Sequence, residues 1–450
     1  ARAILRGAVS TIAVRSGHPR EARAAAAEIC AALHRRPLLL EGAPPPGLGP
    51  WLFLASAVPV ICTELAPGER RAIAEIPGWA GPVLIATGLD GSFERDGDAV
   101  PGWRVPMPDA DERTQLWHAT LGDADLATRL GHDHRHATVR IAELARAARY
   151  QAEVAGAGRV GAQWIAAAAR NGTGGDLGVL AELLSESIPD DALILPEAVR
   201  TELESFADRC RSRDALADRL GPAARARYRP GVRALFVGPS GTGKTLAAGW
   251  LATGLGLPLY RVDLASVTSK FIGETEKNLA QLFARAEHAE VVLLFDEADS
   301  LFGKRTDVRD SNDRFANAQT NYLLTRIESF EGIAILTSNS RSRFDSAFTR
   351  RLDAIIEFTS PGPDERRALW VAHLGENHEL PVSSLNRIAA LCDLTGGHVR
   401  NVVLNAAARA RRHDRGISER DLTEALLAEY TKLGRTPPVL RHASPPPPEA

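Results

Sequence analysis

The sequence predicts an α/β fold: a parallel sheet sandwiched by helices, carrying a phosphate-binding loop and followed by a helical lid, with a worn relative of the same unit in front. Three observations predict it. A glycine-rich loop, Gly238-Pro239-Ser240-Gly241-Thr242-Gly243-Lys244-Thr245, stands between a strand pattern and a helix pattern. Apolar runs of strand length with polar ends follow at 291–295 and 333–339. A fifteen-residue segment recurs at a constant offset of 253 residues. At 450 residues the chain is too long for one core, so two or more domains are expected.

Arg233-Ala234-Leu235-Phe236-Val237 reads as the buried strand that feeds the loop, and residues 246–252 as the helix it opens. The glycines let successive backbone N–H groups turn inward around a phosphate, and the helix N-terminus adds partial positive charge. Lys244 is placed to reach the β- and γ-phosphates, and the Thr245 hydroxyl to hold Mg²⁺. The expected ligand is a nucleoside triphosphate. Val291-Val292-Leu293-Leu294-Phe295 ends in Asp296-Glu297. A buried strand ending in two acids sets one carboxylate, Asp296, toward the metal and the next, Glu297, beside the attacking water.

Asn339 closes the run at 333–339, where its amide would bond the γ-phosphate and the water. The adjacent Arg350 and Arg351 follow a short helical pattern and suit an arginine finger given to a neighbouring subunit. Thr395-Gly396-Gly397-His398-Val399-Arg400-Asn401 opens a helix whose Arg400 would reach the phosphates from a lid.

Order and spacing of these motifs resemble the AAA+ ATPases over about residues 190–432. The resemblance implies a Walker A motif at Gly238–Thr245, a Walker B motif at Asp296 and Glu297, and sensor 1 at Asn339. It also implies trans-acting fingers at Arg350 and Arg351, a sensor-2-like role for Arg400, and a ring, usually a hexamer. Lys270-Phe271-Ile272-Gly273 looks like the pore loop of protein-threading members, with Phe271 gripping polypeptide through its flat apolar face. Residues 312–317 fit either a second pore loop or a subunit-interface segment.

The first half reads as a degenerate copy. Pro108–Gly122 overlies Pro361–Gly375 with nine of fifteen positions identical. Residues 36–40 match the strand before the pore loop, and 83–88 match the sensor-1 strand, with Gly88 in place of Asn339. Thr11–Val14 leads into Arg15-Ser16-Gly17-His18-Pro19-Arg20, which lacks the glycine-rich turn and the Lys-Thr pair. Neither Trp51–Leu54 nor Pro59–Cys62, both expected as strands, ends in Asp-Glu. The expected organisation is a degenerate AAA+-like domain with lid at 1–155, a linker at 156–190, a large AAA+ subdomain at 191–362, a helical lid at 363–433 and a disordered proline-rich tail at 434–450. Leu193–Glu197 is expected to start the active module and to supply part of the adenine pocket.

Charges nearly balance, at 54 basic against 56 acidic residues, so no global field favours nucleic acid or an anionic membrane. The longest apolar stretch, Trp51 to Cys62, contains Pro59 and is too short for a bilayer. Four cysteines without metal-ligand spacing read as reduced thiols of a cytoplasmic protein. The absence of an initial methionine reads as a trimmed fragment. His288, His373 and His413 fall in helical surface patterns and are expected to be solvated.

A worn first domain before an active second one resembles, in particular, the AAA+ ATPases encoded with extracellular contractile injection systems. The segments Ser269–Asn278, Gly396–Asn401 and Glu429–Arg435 also fit that family. The expected function is ATP hydrolysis by a ring that remodels or threads protein clients. The alternatives are a nucleotide-gated assembly scaffold and a clamp-loader-like nucleic-acid remodeller. Lysine-rich hairpins with stacking aromatics, which would favour the last, are not found in the sequence.

Overall fold

The computed structural model describes residues 1–171, 177, 180–264, 274–299, 322–341, 344 and 346–438. The candidate pore loop (Lys270, Phe271, Ile272, Gly273) and residues 312–317 lie outside them, as does the chain beyond Pro438.

Two parallel sheets organise the chain. In the second half, strands Val232–Val237, Leu259–Val262, Val292–Phe295, Ile333–Ser338 and Ala354–Glu357, numbered 1 to 5 along the chain, lie in the spatial order 5-1-4-3-2. In the first half, Thr11–Arg15, Arg36–Leu40, Ala57–Cys62, Val83–Thr87 and Gly102–Arg104 take the same order. Strand Ala181–Leu184 adds to the outer edge of the second sheet, antiparallel to Leu259–Val262. The equivalent edge in the first half, Arg36–Leu40, has no such neighbour among the described residues.

The second sheet is buried on both faces, which is why its strands are continuous apolar runs. Leu235, Leu293, Phe295 and Leu336 face Leu279, Leu282, Phe283 and Ala286 of helix Glu274–Ala289. The alternate residues Ala234, Phe236, Leu294 and Ile335 face helices Glu197–Ser212 and Lys244–Leu255.

Each sheet is followed by a helical lid, and the repeat persists in its hydrogen bonds. Helices Ala110–Leu121, Ala124–Asp133, Thr138–Val154 and Ala162–Asn171 pack around Trp117, and Pro363–Leu374, Val382–Leu391, Gly396–Arg411 and Glu419–Lys432 around Trp370. Both tryptophans are fully buried. Four residues before each, a buried arginine donates to the carbonyl of the proline that precedes the lid. Arg113 Nη1 lies 2.8 Å from Pro108 O, and Arg366 Nη1 lies 2.8 Å from Pro361 O.

Three expectations need correction. Trp51–Leu54 is not a strand but the end of helix Leu48–Leu54. A short apolar run carries no decisive period, and here only Leu52 of the four side chains is buried. The stretch 156–190 is not linker throughout, because Ala162–Asn171 completes the first lid and Ala181–Leu184 joins the second sheet. His288 is not a solvated surface residue: its ring is buried against the first half.

That contact belongs to a continuous seam along one face of helix Glu274–Ala289. Gln281 Nε2 donates to Glu64 Oε2 at 2.7 Å. The Ala284 carbonyl abuts Gly17, where a Cβ would stand 2.7 Å from its oxygen. His288 stacks on His18 with ring centroids 4.9 Å apart. Beside the seam, Arg135 bridges Asp214 and Glu331 at 2.9 and 3.4 Å.

Candidate active site

The phosphate loop leaves strand Val232–Val237 and enters helix Lys244–Leu255 as expected. Two of its glycines are obligatory on steric grounds. Gly238 has φ +153°, and a Cβ there would fall 2.0 Å from the Phe358 carbonyl oxygen. Gly241 has φ +78°, and its Cβ would fall 2.5 Å from Thr395 Oγ1. Pro239 O accepts from the Thr242 hydroxyl at 2.9 Å, which fixes the loop's shoulder. Pro239 and Ser240 themselves lie at the exposed tip.

Lys244 is almost fully buried, and its ammonium turns back into the loop. It donates to Gly238 O at 2.6 Å, Pro239 O at 2.9 Å and Asn339 Oδ1 at 3.2 Å. Burial pushes its pKa down, while the charges of Asp296, Asp299 and Glu297 act the other way. Asn339 thus joins the loop although 95 residues separate it from Lys244. Its strand, Ile333–Ser338, lies directly beside Val232–Val237 in parallel register.

The second neighbour of that strand, Val292–Phe295, delivers the acids. The Thr245 hydroxyl lies 3.3 and 3.4 Å from the two oxygens of Asp296. Hydroxyl and carboxylate oxygens at one spot form the hard-donor set that Mg²⁺ takes, so these residues fit that ion. Glu297 has φ +52°, a left-handed conformation that costs a non-glycine residue about 1 kcal/mol or more. Its N–H donates to Thr337 Oγ1 at 3.0 Å, and that hydroxyl donates to Asp296 Oδ1 at 2.5 Å. Thr337 therefore sets both acids. Sequence reasoning missed it, though its place beside Asp296 follows from the pairing of Phe295 with Leu336.

The lid touches the loop. Gly397 N–H donates to Gly241 O at 3.4 Å, at the start of helix Gly396–Arg411. Arg400, one turn on, is exposed and makes no bond to the loop among the described residues; its charge acts on His373, whose pKa burial lowers first and Arg400 lowers further. Arg350 and Arg351 follow helix Ser346–Thr349 and are both exposed. They are not equivalent: Arg351 is ion-paired with Glu328 of its own chain, whereas Arg350 has no partner among the described residues.

In the first half, three residues, Ser16 to His18, connect strand Thr11–Arg15 to helix Pro19–Ala32, against six in the second. There is no glycine cradle, and the site residues above have no counterparts there.

Comparison with known proteins agrees with this geometry. The family model described as "ATPase family associated with various cellular activities (AAA)" matches residues 234–360. The chain is 31% identical over 207 residues to proteasome-activating nucleotidase 2 of Halobacterium salinarum, covering 43% of this chain and 50% of that protein. It is 39% identical over 129 residues to the uncharacterized AAA family ATPase y4kL of Sinorhizobium fredii, covering 28% and 38%. It is 29% identical over 223 residues to the 26S proteasome subunit RPT4 of Saccharomyces cerevisiae, covering 47% and 51%. The chain thus spans about half or less of the length of these curated relatives. Among the described residues no helix is long and apolar enough to cross a membrane. Residues 234–360 thus match the AAA family model, and the second half of the chain has the parallel-sheet P-loop fold.

Proposed function

We propose that the chain hydrolyses ATP as a subunit of a ring, usually a hexamer, that remodels or threads protein clients. The observation that supports this most is the convergence of Lys244, Thr245, Asp296 and Asn339 on one loop from three adjacent parallel strands. The proteasome-activating and proteasomal names of the relatives support a protein client.

In this reading Lys244 would exchange its loop carbonyls for phosphate oxygens, and Thr245 and Asp296 would hold Mg²⁺. The bound ion would supply positive charge against the phosphates. Glu297 takes the proton of the attacking water, and Asn339 orients that water. Arg350, without a partner among the described residues, is the better placed of the two arginines to serve a neighbouring site. Arg400 serves the phosphates after lid movement. Residues 1–155, extended by helix Ala162–Asn171, act as a degenerate, non-hydrolysing AAA+-like domain, supported by the shared 5-1-4-3-2 order. Residues 191–362 form the large subdomain and 363–433 its lid. The setting is cytoplasmic, without membrane or nucleic-acid partners, and the ring serves assembly of a contractile injection particle.

Two measurements test this. Glu297→Gln is expected to keep ATP binding, measured by calorimetry, while turnover falls on the order of a hundredfold or more. Normal turnover would sink the assignment. Phe271→Ala is expected to keep basal ATPase activity but lose unfolding of a fluorescent client fusion. Unfolding equal to the unmodified protein would leave the gated scaffold as the reading.

A further inference from the structure

A second polar cluster lies away from the phosphate loop, where the first lid meets the second half. Its members are His134, His136 and Glu290. His134 caps the C-terminus of helix Ala124–Asp133, and the backbone from 134 to 137 has no helical turn. In extended chain, residues two apart point the same way, so His134 and His136 present their rings together. The rings stack with centroids 5.2 Å apart at 10°. Glu290 meets them from the end of helix Glu274–Ala289, held at φ +53°.

The atoms converge without satisfying one another. His136 Nδ1 lies 3.2 Å and His134 Nδ1 3.7 Å from Glu290 Oε2. One ligand atom from each residue falls within 4.8 Å of the others. All three atoms are sealed from solvent, and none makes a hydrogen bond. The other oxygen of Glu290 is held by Arg213, which leaves Oε2 aimed at the imidazoles. Buried polar atoms are rarely left unpartnered, and an exception calls for a missing ion or water.

We propose that His134, His136 and Glu290 bind a zinc ion that clasps the first lid to the second half. Two imidazoles and one carboxylate are a zinc donor set, and bonds of about 2.0–2.1 Å in a tetrahedron separate ligands by roughly 3.3 Å. The 3.2 and 3.7 Å separations bracket that spacing. Arg213 plays the outer-shell part, orienting the ligating carboxylate. A cavity of about 290 Å³ lined by His134, Asp133 and Arg211 lies beside the cluster. Glu290 precedes strand Val292–Phe295, so the clasp ties the first lid to the strand that leads into the candidate magnesium ligand Asp296.

The test uses the full chain, stripped with chelator and kept free of nucleotide, with excess Mg²⁺ present to block the phosphate site. Co²⁺ is then added as a spectroscopic stand-in for zinc. One equivalent per chain is expected, with the intense visible absorption of tetrahedral Co²⁺, together with a rise in thermal midpoint when Zn²⁺ is added. His136→Gln and Glu290→Gln are expected to abolish the absorption. His134→Gln, at the less buried ligand, guards against variants that fail to fold. It is expected to weaken Zn²⁺ binding by at least the roughly tenfold to hundredfold that loss of an outer-shell partner costs. Absence of stoichiometric Co²⁺ binding, or binding that His134→Gln leaves unchanged, would overturn the site and leave a direct His136–Glu290 ion pair.

Discussion

The two halves share a scaffold and differ in what the scaffold holds. Both arrange five parallel strands as 5-1-4-3-2 and follow them with a lid anchored by a buried Arg and Trp. In the second half the turn after the first strand curls around its own Lys244. In the first half the corresponding turn is short and lies against helix Glu274–Ala289. The anchors stand in both halves and the loop groups in one, and packing and hydrogen bonding reward the anchors whether or not a nucleotide is bound. The candidate catalytic residues bring no such reward. Glu297 sits in a costly backbone conformation, and Lys244 buries a charge.

This contrast can be broken in three ways, from the largest expected effect down. Arg350→Ala is expected to lower steady-state ATPase activity by roughly a thousandfold, as loss of an arginine finger does. Arg351→Ala is expected to cost far less, because Glu328 already engages it. Equal losses would show that the ion pair does not separate the two roles. Next, Trp117→Ala and Trp370→Ala each remove a fully buried indole and are expected to cost about 3–5 kcal/mol in chemical denaturation. Only Trp370→Ala is expected to disturb nucleotide affinity. A cost under about 1 kcal/mol at Trp117 would break the equivalence of the lids.

The finest comparison concerns two buried threonines near the ends of the fourth strands. Thr337 holds Asp296 and the Glu297 N–H, so Thr337→Val is expected to cost about 1–3 kcal/mol and to slow turnover. The Thr87 hydroxyl has no partner among the described residues, so Thr87→Val is expected to be neutral or stabilising. Denaturant midpoints read alongside ATPase rates would separate the two. Equal destabilisation would mean that strand packing, and not the acids, explains Thr337.

Much of this was legible in the sequence where chemistry or sterics forces particular atoms. The loop joins the strand and helix that flank it in the sequence, and the repeat at Pro108 and Pro361 marks the starts of both helical segments. What was hidden depends on contacts between distant segments. His288 reads as a surface residue within its own helix, and its burial comes from His18, 270 residues away. Thr337 gains its role only once two strands are in register. The helix at Leu48–Leu54 escaped because an apolar run bounded by Pro and Gly has no readable period, and its Phe53 and Leu54 stay exposed.

The abutment of Gly17 on Ala284 has a consequence for repair. Placing Lys and Thr in the first half by point substitution would not make a phosphate site, because the connection is three residues shorter than that of the second half. Lengthening it is blocked as well, since the space beyond Gly17 is filled by the main chain of Glu274–Ala289. That helix also carries the burial of Phe283 beneath strand Val292–Phe295, so it cannot withdraw without opening the working half. The second half thus occupies the ground that a longer loop in the first half would need.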